Sequence, residues 1–198
     1  MLRDFSLPDL ITLANGFAGT GSILSTLQYM DTRDVRVLWL AFALLPAAMV
    51  FDFLDGRIAR WRHQSSILGR ELDSLADLIS FGVAPAVLAF AVGLRGVWDA
   101  VVLVYFVSCG LSRLARYNVT ASELSDDSGK VRYFEGTPIP TSLVLVALLA
   151  ALTGTGWIDE NLPFGKLRLF GGTFHPLVLI FALSGSAMIS KTLRVPKI

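Results

Sequence analysis

Hydrophobic residues run along this chain in blocks long enough to cross a membrane, separated by polar or glycine-containing breaks. Six blocks stand out, near residues 10–30, 36–61, 69–93, 97–118, 138–156 and 174–193. A bilayer core about 30 Å thick takes roughly 17–25 helical residues per crossing, so each block is expected to form one transmembrane helix. The breaks fall at Asp31 to Asp34, Arg62 to Ser66, Arg95 and Gly96, Asn118 to Gly136 and Trp157 to Gly172. In each of them charged or turn-forming residues interrupt the apolar run. No internal repeat is visible, and a single domain over residues 1–198 accounts for the pattern. The expected fold is all-α, a polytopic membrane protein of about six helices.

Composition agrees. Of 198 residues, 54% are hydrophobic and 17% charged, against the roughly 25% charged residues of soluble domains. A net charge of +1 gives no surface for nucleic acid. The lone cysteine, Cys109, lies in an apolar run and has no partner for a disulfide or a thiolate cluster. The opening MLRDFSLPD is polar and is not expected to be a cleaved signal.

Sidedness follows from the cations. With six crossings, both termini and the second and fourth loops share a side. That side carries Arg3, Arg57, Arg60, Arg62, Arg70, Arg113, Arg116, Lys130, Arg132, Lys191, Arg194 and Lys197, twelve of the seventeen Lys and Arg residues. The other side has Arg33, Arg36, Arg95, Lys166 and Arg168. The positive-inside rule then predicts cytosolic termini. Half of the twelve lie among candidate functional residues, and without them the tally is six against five. Trp39, Trp98 and Trp157 fall near span ends, as interfacial tryptophans do, and His63 and His175 are likewise expected at the interface.

Against this background, four acids stand out: Asp52, Asp55, Asp73 and Asp77, in DFLDGRIARWRHQSSILGRELDSLAD. They sit on segments that read as bilayer-embedded, where four charges together cost on the order of 10 kcal/mol even on gentle insertion scales. Asp52 and Asp55 are three apart and Asp73 and Asp77 four apart, so each pair projects from one helix face. The short polar link between the two segments predicts antiparallel neighbours whose acidic pairs face each other. Bare carboxylates so close would repel, and hard divalent cations, Mg²⁺ or Mn²⁺, resolve the repulsion through oxygen ligands. Gly56 and Gly69, each close to an acid, leave room for a bulky group, and Arg60 one turn beyond Gly56 suits a diphosphate. The pattern points to metal-assisted phosphoryl transfer. A plainer account pairs Asp52 and Asp55 with Arg57 and Arg60, and Asp73 and Asp77 with Arg70, but leaves the small residues among the acids unexplained. A divalent-cation transporter is the alternative of another class.

The run Asp52-x-x-Asp55-Gly56-x-x-Ala59-Arg60, eight residues, Gly69-x-x-x-Asp73-x-x-x-Asp77 resembles the full signature of the CDP-alcohol phosphatidyltransferase family, without departure. That resemblance implies a six-helix, homodimeric integral membrane enzyme that displaces CMP from a CDP-linked lipid with an alcohol. It implies that Asp52, Asp55, Asp73 and Asp77 hold two divalent metals and that Asp77 is also the general base. By the same resemblance Gly56, Ala59, Arg60 and Gly69 face the CDP moiety, with Arg70, Thr12 and Asn15 beside them.

The acceptor is less constrained. Thr12 and Asn15 at the start of the first span, Arg113 and Arg116 at the end of the fourth and the turn YFEGTPIP converge on the cytosolic half. Arginines beyond the acids suggest an anionic group, and serine, glycerol phosphate and inositol phosphate all carry one. Snorkelling of Arg113 and Arg116, helix initiation by Pro138 and Pro140, and helix-to-helix bonding by Thr12 and Asn15 are the plainer readings. Further likeness in LITLANGFAG, GRELDSLADLISFGVAPA, CGLSRLARYNVT, YFEGTPIP and FHPLVL to ISKTLRVPK is to family members that use L-serine, shared by fungi and many prokaryotes. Tyr117 and Thr137 depart from the phenylalanine and leucine expected there. The implied donor is CDP-diacylglycerol, and the implied serine pocket is Arg113, Arg116, Asn118, Glu135, Gly136 and Pro138. The other acceptors are inositol, inositol phosphate and glycerol phosphate. The host membrane is the plasma membrane in a prokaryote and the endoplasmic reticulum in a fungus.

Overall fold

A computed structural model of the chain describes residues 7–62, 67–123, 133–190, 192 and 194–196. Helix α1 spans Leu7–Thr32 and α2 spans Val35–Arg62. Helix α3, Ile67–Asp77, continues through a π-helical turn, Leu78–Val83, into α4, Ala84–Val92. Helix α5 runs Val97–Glu123. Two shorter helices follow, α6 at Leu143–Gly154 and α7 at Leu179–Ile189, each entered through a 3₁₀ turn, Ile139–Ser142 and Pro176–Val178. The all-α expectation is met, and the chain is a multi-pass integral membrane protein.

Four segments have the length and apolarity to cross a bilayer: Pro8–Thr32, Val35–Ile58, Leu68–Val92 and Val97–Val119. The last two expected spans are shorter apolar helices, Ile139–Gly154 and Pro176–Ile189. At about 1.5 Å per residue neither reaches the full 30 Å of a typical core. Their limits are local. Each begins at a proline-containing 3₁₀ turn, α6 stops at Thr155 before Gly156 (φ +78°), and the backbone turns extended at Ser190. Side chains such as Phe17, Val104, Val144 and Leu183 are exposed on the outer surface. A lipid-facing surface accommodates them where water would not.

Strands are few. β1, Tyr133–Glu135, pairs antiparallel with β4, Arg194–Pro196, and β2, Leu167–Leu169, pairs with β3, Gly172–Phe174, as a hairpin. Both pairs lie outside the apolar helices, where backbone groups can reach water.

Helix α1 organises the acidic half. It packs along α2 and also along α3, the π turn and α4. Among the described residues α2 and α3 scarcely touch through their backbones. The antiparallel neighbours expected there are joined through α1, which lies against both and brings polar side chains to their acids. Close approach is possible because Gly19 lacks a side chain, and a Cβ there would lie 2.3 Å from Ser80 Oγ. Small residues at such crossings are the usual means of packing helices in lipid. The core continues through Leu38, Leu45, Phe81, Leu88, Leu149 and Met188, and Phe106 meets Phe181 edge-on at 5.3 Å.

Candidate metal and substrate site

Asp52 and Asp55 lie one turn apart on α2, and Asp73 and Asp77 one turn apart on α3. Carboxylate oxygens of Asp52, Asp55 and Asp73 all lie within 4.8 Å of one another. Asp55 and Asp77 are buried, while Asp52 and Asp73 are half-buried. Helix α1 supplies the donors. The Thr12 hydroxyl donates to Asp55 Oδ2 at 2.5 Å, and Asn15 Nδ2 donates to Asp77 Oδ1 at 3.1 Å. Asn15 is itself held from behind, because the Ser80 hydroxyl donates to its backbone carbonyl at 3.1 Å. The reading of Thr12 and Asn15 as helix-bonding residues therefore holds, and what they bond is the acids.

The donor set fits a hard cation. Ligand oxygens at 2.0–2.6 Å from one ion are up to about 4–5 Å apart, which matches the three-carboxylate spacing. Asp73 Oδ1 is buried with no hydrogen-bond partner. Among the described residues no lysine or arginine pairs with any of the four acids: the Arg57 guanidinium lies 6.0 Å from the centre of the Phe53 ring, and Arg70 is exposed. The internal salt bridges of Arg57 and Arg70 are thus not formed. Three converging oxygens and an orphaned carboxylate oxygen make a buried acidic triad able to bind a metal ion.

Gly56 and Gly69 are half-buried on α2 and α3. Ala59 and Arg60 extend α2 beyond Gly56, and their side chains lie outside the described residues, as do His63, Lys130 and Arg132. Arg113 and Arg116, on α5, are half-buried. Among the described residues, Arg113 Nε and Arg116 Nη2 are buried without a partner, and Arg116 Nη1 makes a long contact, 3.5 Å, to the Ile189 carbonyl. The turn after β1 docks on the end of the same helix, α7: Thr137 N–H donates to the Ala187 carbonyl at 3.2 Å. Gly136 has φ +75°, and a Cβ there would be 2.3 Å from the Met188 carbonyl oxygen. Only glycine fits. Pro138 is half-buried, and its carbonyl accepts from Thr141. Glu135 pairs with Arg194 through the backbone, and its side chain lies outside the described residues.

Two placements are more specific than the sequence suggests. Asn118 spends its amide on α3, accepting from Ser74 at 3.2 Å and donating to Glu71 at 3.3 Å, so it pins α5 beside Asp73. His175 is buried and held by Asp99 at the opposite end of the bundle, not spread on the interface. Sequence reasoning passes over Ser142, whose hydroxyl, like that of Thr137, is buried without a partner among the described residues. The one hint was Thr137, a polar residue where an apolar one was expected.

What the fold and site define is an integral membrane protein whose polar centre is a carboxylate cluster braced by its first helix. The CDP-alcohol phosphatidyltransferase model matches residues 5–184, and the chain belongs to that family. It is 49% identical over 200 residues to the CDP-diacylglycerol–serine O-phosphatidyltransferase of Saccharomyces cerevisiae, covering all of this chain and 72% of that protein. A Mycobacterium leprae protein of the same name is 38% identical over 157 residues, which cover 76% of this chain and 49% of that protein. One from Helicobacter pylori is 34% identical over 194 residues, 97% of this chain and 72% of its own length.

Proposed function

We propose that the chain transfers the phosphatidyl group of CDP-diacylglycerol to L-serine, giving phosphatidylserine and CMP. The observation that carries this reading is the carboxylate cluster of Asp52, Asp55 and Asp73, set within the family's spacing. The names of the relatives support serine as acceptor. Two divalent ions, Mg²⁺ or Mn²⁺, held by Asp52, Asp55, Asp73 and Asp77, would bind the diphosphate and offset the charge gathering on the departing CMP.

Thr12 and Asn15 fix the rotamers of Asp55 and Asp77. Because Asn15 takes only Oδ1, Asp77 Oδ2 remains for the serine hydroxyl proton. As that proton moves, the serine oxygen forms a bond to the β-phosphorus and the bond from phosphorus to the CMP oxygen breaks, its electron pair leaving with CMP. Gly56, Ala59, Arg60, Gly69 and Arg70 border the CDP moiety in this reading. Arg113 and Arg116 receive the serine carboxylate, which would satisfy the two nitrogens now buried without partners. Gly136, Pro138, Glu135 and Asn118 frame that pocket. The arginine tally supports a cytosolic active site and cytosolic termini, and the family resemblance supports a homodimer of single-domain protomers.

Purified protein given CDP-diacylglycerol with serine, inositol, inositol phosphate or glycerol phosphate in turn should release CMP with serine. Release with another alcohol instead would reassign the acceptor. Asp77→Asn should lower turnover by about 10²- to 10⁴-fold, the usual contribution of a general base, with CDP-lipid binding retained.

A further inference from the structure

At the end of the bundle opposite the aspartates, a cavity of about 240 Å³ is lined by Arg95, Asp159, Glu160, Lys166, Arg168 and His175, with Gly93, Gly96 and Thr173 at its walls. Its two carboxylates are already matched. Asp159 accepts from Arg33 at 3.0 Å and lies 3.3 Å from Arg95, and Glu160 meets Lys166 at 2.5 Å. Arg95 also donates to the carbonyls of Phe90 and Ala91. Arg168 is the one lining cation without a partner among the described residues, so the cavity carries a surplus positive charge.

His175 forms a further part of the lining. The residue is 8% exposed, and its Nδ1 lies 2.6 Å from Oδ2 of the fully buried Asp99. The same carboxylate accepts the backbone N–H groups of Gly96 and His175, both at 2.8 Å. These bonds fix the ring as a rigid wall of the cavity.

The β2–β3 hairpin and the chain leading into it form one wall. Lys166 and Arg168 line the cavity, while Leu167 and Leu169 alternate with them and are exposed. Phe170, in the turn, is 99% exposed, and Phe164 is exposed just before the hairpin. Trp98 Nε1 donates to the Leu169 carbonyl at 2.8 Å and ties the hairpin to α5. A segment joining two apolar helices of a membrane protein lies at the bilayer surface, where aromatic and cationic side chains are favoured.

We propose that this cavity is a phospholipid headgroup site, taking the phosphodiester of a membrane lipid against Arg168 and Lys166, with the exposed apolar side chains of the hairpin seated in the bilayer. The inference rests on the membrane-spanning fold and is independent of the acceptor. An anionic phosphodiester matches the surplus charge, and Arg and Lys hold phosphate oxygens through charge-assisted hydrogen bonds.

The test is native mass spectrometry of the full chain, stripped of lipid in detergent and titrated separately with phosphatidylglycerol, diacylglycerol and inorganic phosphate. Phosphatidylglycerol should bind in preference to the other two. Arg168→Gln and Lys166→Gln should each weaken it by roughly tenfold, the loss expected for one charge-assisted hydrogen bond. Asp73→Asn should leave this site filled, and Arg168→Gln should leave CMP release unchanged. The proposal is overturned if both cavity variants hold phosphatidylglycerol as wild type does, if diacylglycerol binds equally well, or if inorganic phosphate does.

Discussion

At the aspartate end of the bundle, three carboxylates share a space of 4.8 Å with no described cation beside them. At the far end, Asp159 sits between Arg33 and Arg95, Glu160 meets Lys166, and Asp99 holds His175. Both ends carry buried or half-buried acids, but among the described residues those of the far end meet a cation or a histidine of the chain itself, and the triad does not. Intramembrane acids without partners are costly and persist where a ligand completes them, whereas internally matched charges hold loops to helix ends. The contrast separates carboxylates open to a cation from carboxylates already matched within the chain.

The largest expected effect breaks that contrast at the acidic end. Asp73→Asn should lower CMP release by at least about 10³-fold, several kcal/mol of charge stabilisation, without lowering the melting temperature. Chelation of divalent ions should do the same to wild type, with activity returning on adding Mg²⁺ or Mn²⁺. A smaller effect, of the opposite kind, is expected at the far end. Asp99→Ala leaves His175 and two backbone N–H groups without their acceptor and should cost about 3 kcal/mol, read as a lower melting temperature, with the KM for serine unchanged. Asn15→Ala tests whether α1 positions the acids. It should lower kcat about 10- to 100-fold, as loss of a residue bracing metal ligands does, and addition of excess metal should recover part of it. The smallest change is Arg33→Gln. That residue makes a solvent-exposed pair, with half of its side chain open, and the melting temperature should scarcely change. A loss of activity in Arg33→Gln comparable to that in Asp73→Asn would erase the distinction between the two ends.

Much of the acidic centre was legible in the sequence because the spacing of Asp52, Asp55, Asp73 and Asp77 maps directly onto helix faces. The helices themselves were legible from their apolar runs, although α6 and α7 end early at glycine and extended backbone that hydropathy does not weigh. The role of α1 was not legible. A short link between α2 and α3 predicts neighbours with facing acids but not that both pack against α1, whose Thr12 and Asn15 donate to acids 43 and 62 residues away. The Asp99–His175 pair spans 76 residues and has no local signature. Nor did the sequence distinguish Asn118, committed to Glu71 and Ser74, from Arg113 and Arg116, each with a buried nitrogen left over.

The π turn at Leu78–Val83 has a consequence for how this protein can change. One residue more than an α-helix needs is taken up there, and each residue of an α-helix turns the chain by about 100°. The phase of Asp73 and Asp77 is thereby set independently of that of the apolar half, Ala84–Val92. Substitutions that rotate or repack the apolar half can be absorbed in the turn before they reach the acids. Deleting a single residue from the turn would join the halves into one rigid phase and swing the carboxylates off the face that meets α1. The turn therefore acts as a clutch between two stretches of helix under different selective demands.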